Sequence, residues 1–486
     1  MDIRAVAFVL GNLLLVVSAC LLAPLVISIG YAGDNPNSGF EIAGFVVTFV
    51  VAAILGLIGR YVLHADADRI RVREGFAIVV FSRLLAVGLG MLPNLISGAC
   101  PSVTDAFFET MSGFTTTGAT IFPTVEVIPK GVQFWRCMTQ WLGGMGIVVL
   151  SVALLPMLGA GGYRMLKAES PGGVAFEREA PRITDIAQSL WRLYLILSAA
   201  EVVLLRISGM DWYDAFCHTF ATMSTGGFSP HTESVGYFSS PFTHWIIIVF
   251  MFLAGANFSL YAQVLRGKVT AVVNNSEMRL YIGIFAAVIM VGLIVVPPVG
   301  DLESHVRNVA FQIVSIGTTT GFATTDFDAW PQLMRALLVC LMFVGGCMGS
   351  TGGGMKVARF IVLAKAVVRE MYRPIFPHAV RHIRVGDKVL DPTLVSNILA
   401  FGALYAGTWV VGTLVTTAYG YDLVTSLTAS AAALGNIGPG LGEVGPSRNW
   451  AHLPDVVKWV MSMCMLVGRL ELYSVFILLT PWAWRR

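Results

Sequence analysis

Apolar positions in this chain gather into long blocks separated by short polar stretches. The blocks lie near residues 5–30, 42–63, 75–97, 132–158, 189–208, 243–264, 279–298, 336–362, 393–418 and 457–481. Each is close to or above the ~20 residues that a helix needs to cross the hydrocarbon core of a bilayer. The pattern predicts an all-α integral membrane protein with ten spans. Val17, Ser18, Ala19 and Cys20 look like a lipoprotein cleavage box, but the chain stays apolar to about Ile29, so the first block reads as a retained span.

The polar stretches set orientation. Lys and Arg concentrate in alternate loops: Arg69, Arg71 and Arg73; Arg164, Lys167, Arg178 and Arg182; Arg266, Lys268 and Arg279; a cluster from Lys356 to Lys388; and Arg485 with Arg486. The positive-inside rule places these loops and both termini in the cytoplasm. The opposite loops carry Asp34, Glu41, Asp105, Glu109, Glu126, Asp211, Asp214, Glu233, Asp301, Glu303, Asp326, Asp328 and Asp422. These acids read either as solvated loop surface or as a vestibule that weakly concentrates cations.

Four of the outer loops share a feature. Each contains a half-apolar stretch too short to cross, namely Ser102 to Ser112, Trp212 to Met223, His305 to Ile316 and Tyr421 to Leu434, followed by a Thr/Ser/Gly cluster. Such stretches read as re-entrant half-helices. Aligned on one glycine, the clusters are Thr116-Thr117-Gly118, Ser224-Thr225-Gly226, Thr319-Thr320-Gly321 and Asn436-Ile437-Gly438, at intervals of 108, 95 and 117 residues. Phe108, Phe216 and Phe311 stand ten residues before the glycine, and Thr428 takes that place in the last. The pattern predicts four pseudo-symmetric span/pore-helix/span repeats around a central pore, behind an N-terminal pair of spans. The boundaries fall at 1–70 for the pair and 71–170, 171–270, 271–388 and 389–486 for the repeats.

Replacing the water shell of a potassium ion takes oxygens on all sides, and a ring of backbone carbonyls from four loops supplies them without a full negative charge. Extended strands with inward carbonyls need a residue that tolerates φ > 0, which is glycine. Half-helices entering from outside aim their negative C-terminal ends at the same point.

Composition supports the membrane reading. The 486 residues include only 32 Lys+Arg and 29 Asp+Glu, and 50 glycines. A net charge of +3 gives no basis for nucleic-acid binding. Seven cysteines without a CxxC pair indicate neither a disulfide framework nor a structural zinc site. His378 and His382 have the spacing of a helical metal pair but no third ligand nearby. No paired intramembrane aspartates or Ser/His dyad points to an enzyme. Glu201, near the middle of the fifth span, is the one deep carboxylate that a proton-coupled mechanism could use.

Two features lie below the four loops. Gly345, Gly346, Gly349, Gly352, Gly353 and Gly354 fill six of ten positions in the eighth span. At roughly 1 kcal/mol each relative to alanine, they should unwind it into a loop crossing the pore. Lys356 follows at the inner end, as an interfacial anchor or a gate residue. Arg469 lies near the middle of the last span, where an arginine costs at least ~2.5 to 3.5 kcal/mol and should face the bundle interior. There it reads either as a charge that raises the barrier to a cation or as one half of a structural ion pair with an acid other than Glu471, which cannot share its face.

The repeat unit, together with Trp141-Leu142-Gly143-Gly144-Met145-Gly146, Gly349-Ser350-Thr351-Gly352-Gly353-Gly354-Met355-Lys356 and Gly468-Arg469-Leu470-Glu471, closely resembles the Trk/Ktr/HKT superfamily of potassium transporters, nearest its bacterial Trk-type uptake subunits. The resemblance covers essentially the whole chain. It implies that Gly118, Gly226, Gly321 and Gly438 line a potassium filter, that the glycine run is the intramembrane gate, and that the protein sits in a bacterial inner membrane as a homodimer. It also implies control by a cytosolic ring of nucleotide-binding domains docking on the basic segment from Arg359 to Lys388, which otherwise reads as a contact for anionic lipid. Plant relatives that prefer sodium carry serine where this chain has Gly118. Asn436 and Ile437 depart from the Thr pattern, so the ring cannot be fourfold symmetric. Two transport mechanisms stay open: a gated single pore, or an obligate symporter coupled to protons or sodium.

Overall fold

The apolar blocks fold as helices. The structure, a computed structural model, describes residues 2–62, 72–146, 180–376, 382–386 and 388–484. Arg69, Arg71, Arg164, Lys167, Arg178, His378, Arg485 and Arg486, the second half of the fourth block, and the side chains of Asp34, Arg182 and Lys388 lie outside the described residues. Among the described residues, five helices are long and apolar enough to cross a membrane, and two bent pairs bring the count to seven. Beyond these, Ala180–Ile207 accounts for the fifth block. A two-stranded hairpin, Arg384–Val385 with Lys388–Val389, is the one departure from an all-helical chain among the described residues. Val47, Ile54, Ile294 and Leu414 present apolar side chains outward, as positions facing lipid do.

The N-terminal pair is Ile3–Cys20, continued by Leu22–Gly30, against Ser38–Leu57. The two pack through small residues: a methyl group on Gly11 would collide with the backbone of Gly59. The pair joins the rest of the molecule through Glu41, which is 2% exposed. Its carboxylate accepts from Ser28 Oγ at 2.8 Å, Asn35 Nδ2 at 3.1 Å and the Gly131 N–H at 2.8 Å. Glu41 is therefore a buried link to the first turn of the helix Lys130–Gly144, and the expectation of a solvated loop acid is corrected.

Four short helices occupy the places read as half-helices: Val103–Phe114, Trp212–Met223, Leu302–Gly317 and Leu423–Gly435. At twelve residues, the first two are about 18 Å long, well short of a ~30 Å hydrocarbon core. Each begins at a side-chain cap, Ser102, Asp211, Asp301 and Asp422, whose oxygen accepts an otherwise orphaned N–H of the first turn.

The helix after each short helix stops early. Lys130–Gly144, Pro241–Ala254, Gln332–Val344 and Asp455–Arg469 all end at or beside a glycine. The sixth block bends by 97° before Phe258–Leu265, and the tenth by 117° before Tyr473–Leu479. Only the eighth block was expected to break. The physical reason is close approach: a Cβ on Gly143 would strike the Phe114 carbonyl and one on Gly468 the Leu434 carbonyl. One or two glycines facing the end of a short helix suffice. Arg469 consequently ends a helix at the break in the last span, and Glu471 and Leu472 turn the chain at positive φ.

Candidate ion pathway

The backbone leaves all four short helices in the same way. A non-glycine residue at positive φ comes first: Thr116 at 53°, Thr225 at 53°, Thr319 at 64° and Asn436 at 54°. The next N–H returns to a carbonyl of the helix it has just left, Thr117 to Ser112 at 2.8 Å, Gly226 to Ala221 at 2.7 Å, Thr320 to Ser315 at 2.8 Å and Ile437 to Ala432 at 2.9 Å. A glycine at positive φ follows: Gly118 at 82°, Gly227 at 79°, Gly321 at 83° and Gly438 at 97°. The second segment is thus one residue out of the register read from sequence. Gly227, not Gly226, is the counterpart of Gly118, and Gly226 matches Thr117, Thr320 and Ile437; Ser224 caps the helix, as Thr115 and Thr318 do. Phe216 does not occupy the place that Phe108 and Phe311 hold. It is 39% exposed, whereas Phe108, Phe311 and Cys217 are fully buried, so Cys217 holds the equivalent place.

The segments close on one another. A side chain on Gly118 would meet the Gly226 carbonyl oxygen, one on Gly227 that of Thr320, one on Gly321 that of Ile437, and one on Gly438 that of Thr117. Each glycine thus has two reasons to be glycine, its own φ and the carbonyl of a neighbouring segment lying against its Cα. Gln140 braces the second segment, donating to Gly226 O at 2.7 Å and accepting from Phe228 N at 3.0 Å. Asn436 ties the fourth to the first, donating to Thr117 Oγ1 at 3.0 Å and to Met465 O at 2.9 Å. The departures from the Thr pattern are therefore built into the ring contact. Thr116 Oγ1 and Asn436 Oδ1 are buried oxygens without a hydrogen-bond partner.

A second circle of contacts lies beyond the segments. Val125 N donates to Thr232 Oγ1 at 3.0 Å and Gly236 N to Ala323 O at 3.1 Å; Gly442 N donates to Asp328 Oδ2 at 3.1 Å and Trp450 N to Thr120 O at 2.8 Å. Several outer acids serve as cross-links. Lys458 pairs with Asp105 at 2.6 Å, Arg335 with Asp328 at 2.8 Å and His231 with Asp214 at 2.9 Å. Asp422 and Asp301 are held below the usual carboxylate range by hydrogen bonds from Thr425 and Ser304.

Glu109, grouped by sequence with the outer-loop acids, is 1% exposed. It accepts from Arg136 Nη2 at 2.6 Å and from Ile121 N at 2.9 Å, and Arg136 lies over the Phe228 ring at 4.3 Å. The pair fixes the first segment to its own short helix and to the second segment. Removing one member leaves a buried charge uncompensated. Glu109→Ala should lower stability by about 3–5 kcal/mol, seen as a lower unfolding temperature in detergent.

Below the ring, residues 345–356 form the loop expected from the glycine run. Gly345, Gly349 and Gly354 have φ of 68°, 72° and 71°, and Lys356 has 73°. Gly346, Gly352 and Gly353 pack against the carbonyls of Gly255, Thr318 and Gly435. Thr351 Oγ1 donates to Met223 O at 3.0 Å, Gly353 N to Thr319 Oγ1 at 2.6 Å and Gly354 N to Gly435 O at 3.0 Å. The loop therefore touches the inner ends of the second, third and fourth segments or their helices. Lys356 is buried, and its ammonium folds back to donate to Gly352 O.

Arg469 supplies the contact to the first unit. Its guanidinium donates to Thr351 O at 2.6 Å, Gly143 O at 3.0 Å and Gly144 O at 2.8 Å. The last two carbonyls end the helix Lys130–Gly144, where the dipole is negative. Sequence reading missed Arg83, which is 2% exposed and donates to Phe114 O at 3.0 Å and Gly143 O at 3.3 Å; a lone arginine inside the third block was the available signal. Arg359 is also buried, paired with Glu471 at 2.5 Å and stacked over Phe401 at 4.1 Å. It is therefore withdrawn from the surface of the basic segment, where Lys365 and Arg373 are exposed.

A family model described as TrkH, cation transport protein, matches residues 42–482. The chain belongs to the TrkH family. Among TrkH-family relatives, the Trk system potassium uptake protein TrkH of Escherichia coli K12 is 36% identical over the full length of both chains. The protein of the same name from Vibrio parahaemolyticus is 39% identical over the full length of both. A crystal structure titled as the potassium transporter TrkH from Vibrio parahaemolyticus superposes with a TM-score of 0.88 at 37% identity, covering all of both chains. With its apolar helices, this TrkH-family member is a multi-pass integral membrane protein.

Proposed function

We propose that the protein takes up potassium across the bacterial inner membrane through a single gated pore. The observation that carries this reading is the closed ring of four like segments. In it, one carbonyl of each segment lies against the glycine of another segment, and Thr116 and Asn436 keep buried oxygens without a hydrogen-bond partner; on this reading the carbonyls of 116–118, 225–227, 319–321 and 436–438 surround the ion path, with those two oxygens as further candidate ligands. Gly118, in place of the serine of sodium-preferring relatives, supports potassium over sodium. The loop 345–354 with Lys356 and Arg469 forms the closed gate, since it bonds to the inner ends of the ring and carries positive charge there. The units at 71–170, 171–270, 271–388 and 389–486 form the pore behind the two-span domain 1–70, with both termini cytoplasmic. Two copies make a homodimer, and a cytosolic nucleotide-binding ring opens the gate from the basic surface after residue 356.

A symporter reading draws on Glu201, a fully buried carboxyl beside Thr222. Reconstituted protein in liposomes separates the two. The pore reading expects potassium flux down a potassium gradient alone, and unchanged flux in Glu201→Gln. Flux that vanishes without a proton or sodium gradient, and is lost in Glu201→Gln, sinks it.

A further inference from the structure

We propose that Glu277 is the positioning residue that staples the glycine loop shut, an inference that rests on reading this loop as the gate. Glu277 is the second residue of the helix Ser276–Val295 and is 7% exposed. One carboxylate oxygen, Oε1, accepts from the Met348 N–H at 2.6 Å and from the Ala358 N–H at 3.2 Å. These two amides lie on opposite sides of the run from Gly349 to Lys356, so a single atom holds both ends of the loop together.

The chemistry favours a carboxylate at this position. An ionised oxygen accepting from backbone N–H groups makes hydrogen bonds roughly twice as strong as neutral ones. Met348 and Ala358 would otherwise have amides left over where the loop departs from helix. The Lys356 ammonium, at the inner end of the same loop, interacts electrostatically with the carboxylate. Around the staple the loop is also held by backbone contacts: Cys347 N to Gly255 O at 2.8 Å, Phe258 N to Gly349 O at 3.1 Å and Val357 N to Gly346 O at 3.1 Å. Glu277 therefore contributes the one side-chain anion that grips the loop from outside it among the described residues. It belongs to the first helix of the third unit, so a displacement of that helix is transmitted to both ends of the loop at once.

The test uses the full chain reconstituted in liposomes and reads two quantities. The first is basal potassium flux. The second is maleimide modification of Cys347, a buried thiol inside the loop, quantified by peptide mass spectrometry. In Glu277→Ala both should rise about tenfold, the change that accompanies a loss of about 1.4 kcal/mol. Glu277→Gln keeps an acceptor oxygen without the charge and should fall between wild type and Glu277→Ala in both readouts. Its graded response keeps the test valid if the alanine variant folds poorly. Faster Cys347 modification with unchanged flux supports the staple and overturns the gate reading. Unchanged Cys347 modification in both variants overturns the staple, whatever the flux does.

Discussion

Replacing Gly118 by serine should reduce the potassium-to-sodium flux ratio of the purified chain about tenfold, the equivalent of about 1.4 kcal/mol in discrimination. Two costs arise at that position. A φ of 82° puts an L side chain in the left-handed region, at about 1–2 kcal/mol. The new Cβ also runs into the Gly226 carbonyl, so either the first segment flattens or the second moves outward. Both displace carbonyls from the ring and let the smaller, more strongly hydrated sodium compete. Gly227→Ser should match Gly118→Ser, because it has the same φ and meets the Thr320 carbonyl in the same way. A serine at Gly226 meets the Gln140 side chain, not a backbone carbonyl, and should perturb the ratio less. An unchanged ratio in Gly118→Ser would remove the first segment from the ion path.

The second large effect is expected at Arg469. Its guanidinium bridges the loop carbonyl of Thr351 to the Gly143 and Gly144 carbonyls, so it joins the third unit to the first as well as placing a positive charge beneath the ring. Arg469→Ala removes both and should raise basal potassium flux by about tenfold or more, since hydrogen bonds to a charged group are worth roughly 1.5–3 kcal/mol each. Arg469→Lys keeps the charge but not the planar fork. A smaller rise for lysine assigns the remainder to charge; an equal rise assigns the closure to the bridge. Flux at or below wild type in well-folded Arg469→Ala would count against any barrier role.

Much of this architecture was legible in the sequence because it follows from length and from glycine. Among the described residues, five helices and two bent pairs of spanning length stand where apolar blocks were expected, the short stretches became short helices, and the run from Gly345 to Gly354 became a loop. What escaped reading depends on contacts between distant residues. The adjacent Gly226 and Gly227 offered two registers, and Phe216 favoured the wrong one because burial cannot be read from identity. The bends after Ala254 and Arg469 needed no glycine run, only one or two glycines pressed against the end of a short helix. Glu41, Glu109 and Arg359 looked like surface charges until the fold supplied Gly131, Arg136 and Glu471 as partners. Glu277 gave no local signal, since its loop partners are backbone amides far along the chain.

The contacts among the four segments have a sense of rotation. Gly118 bears on the second segment, Gly227 on the third, Gly321 on the fourth and Gly438 on the first, so in every case the glycine Cα receives a carbonyl from the next segment in chain order. Strain introduced at one glycine is therefore handed forward around the circle rather than shared between both neighbours. The four units are consequently not interchangeable parts: each is fitted to its successor, and a compensating change for a damaged glycine belongs in the segment that follows it.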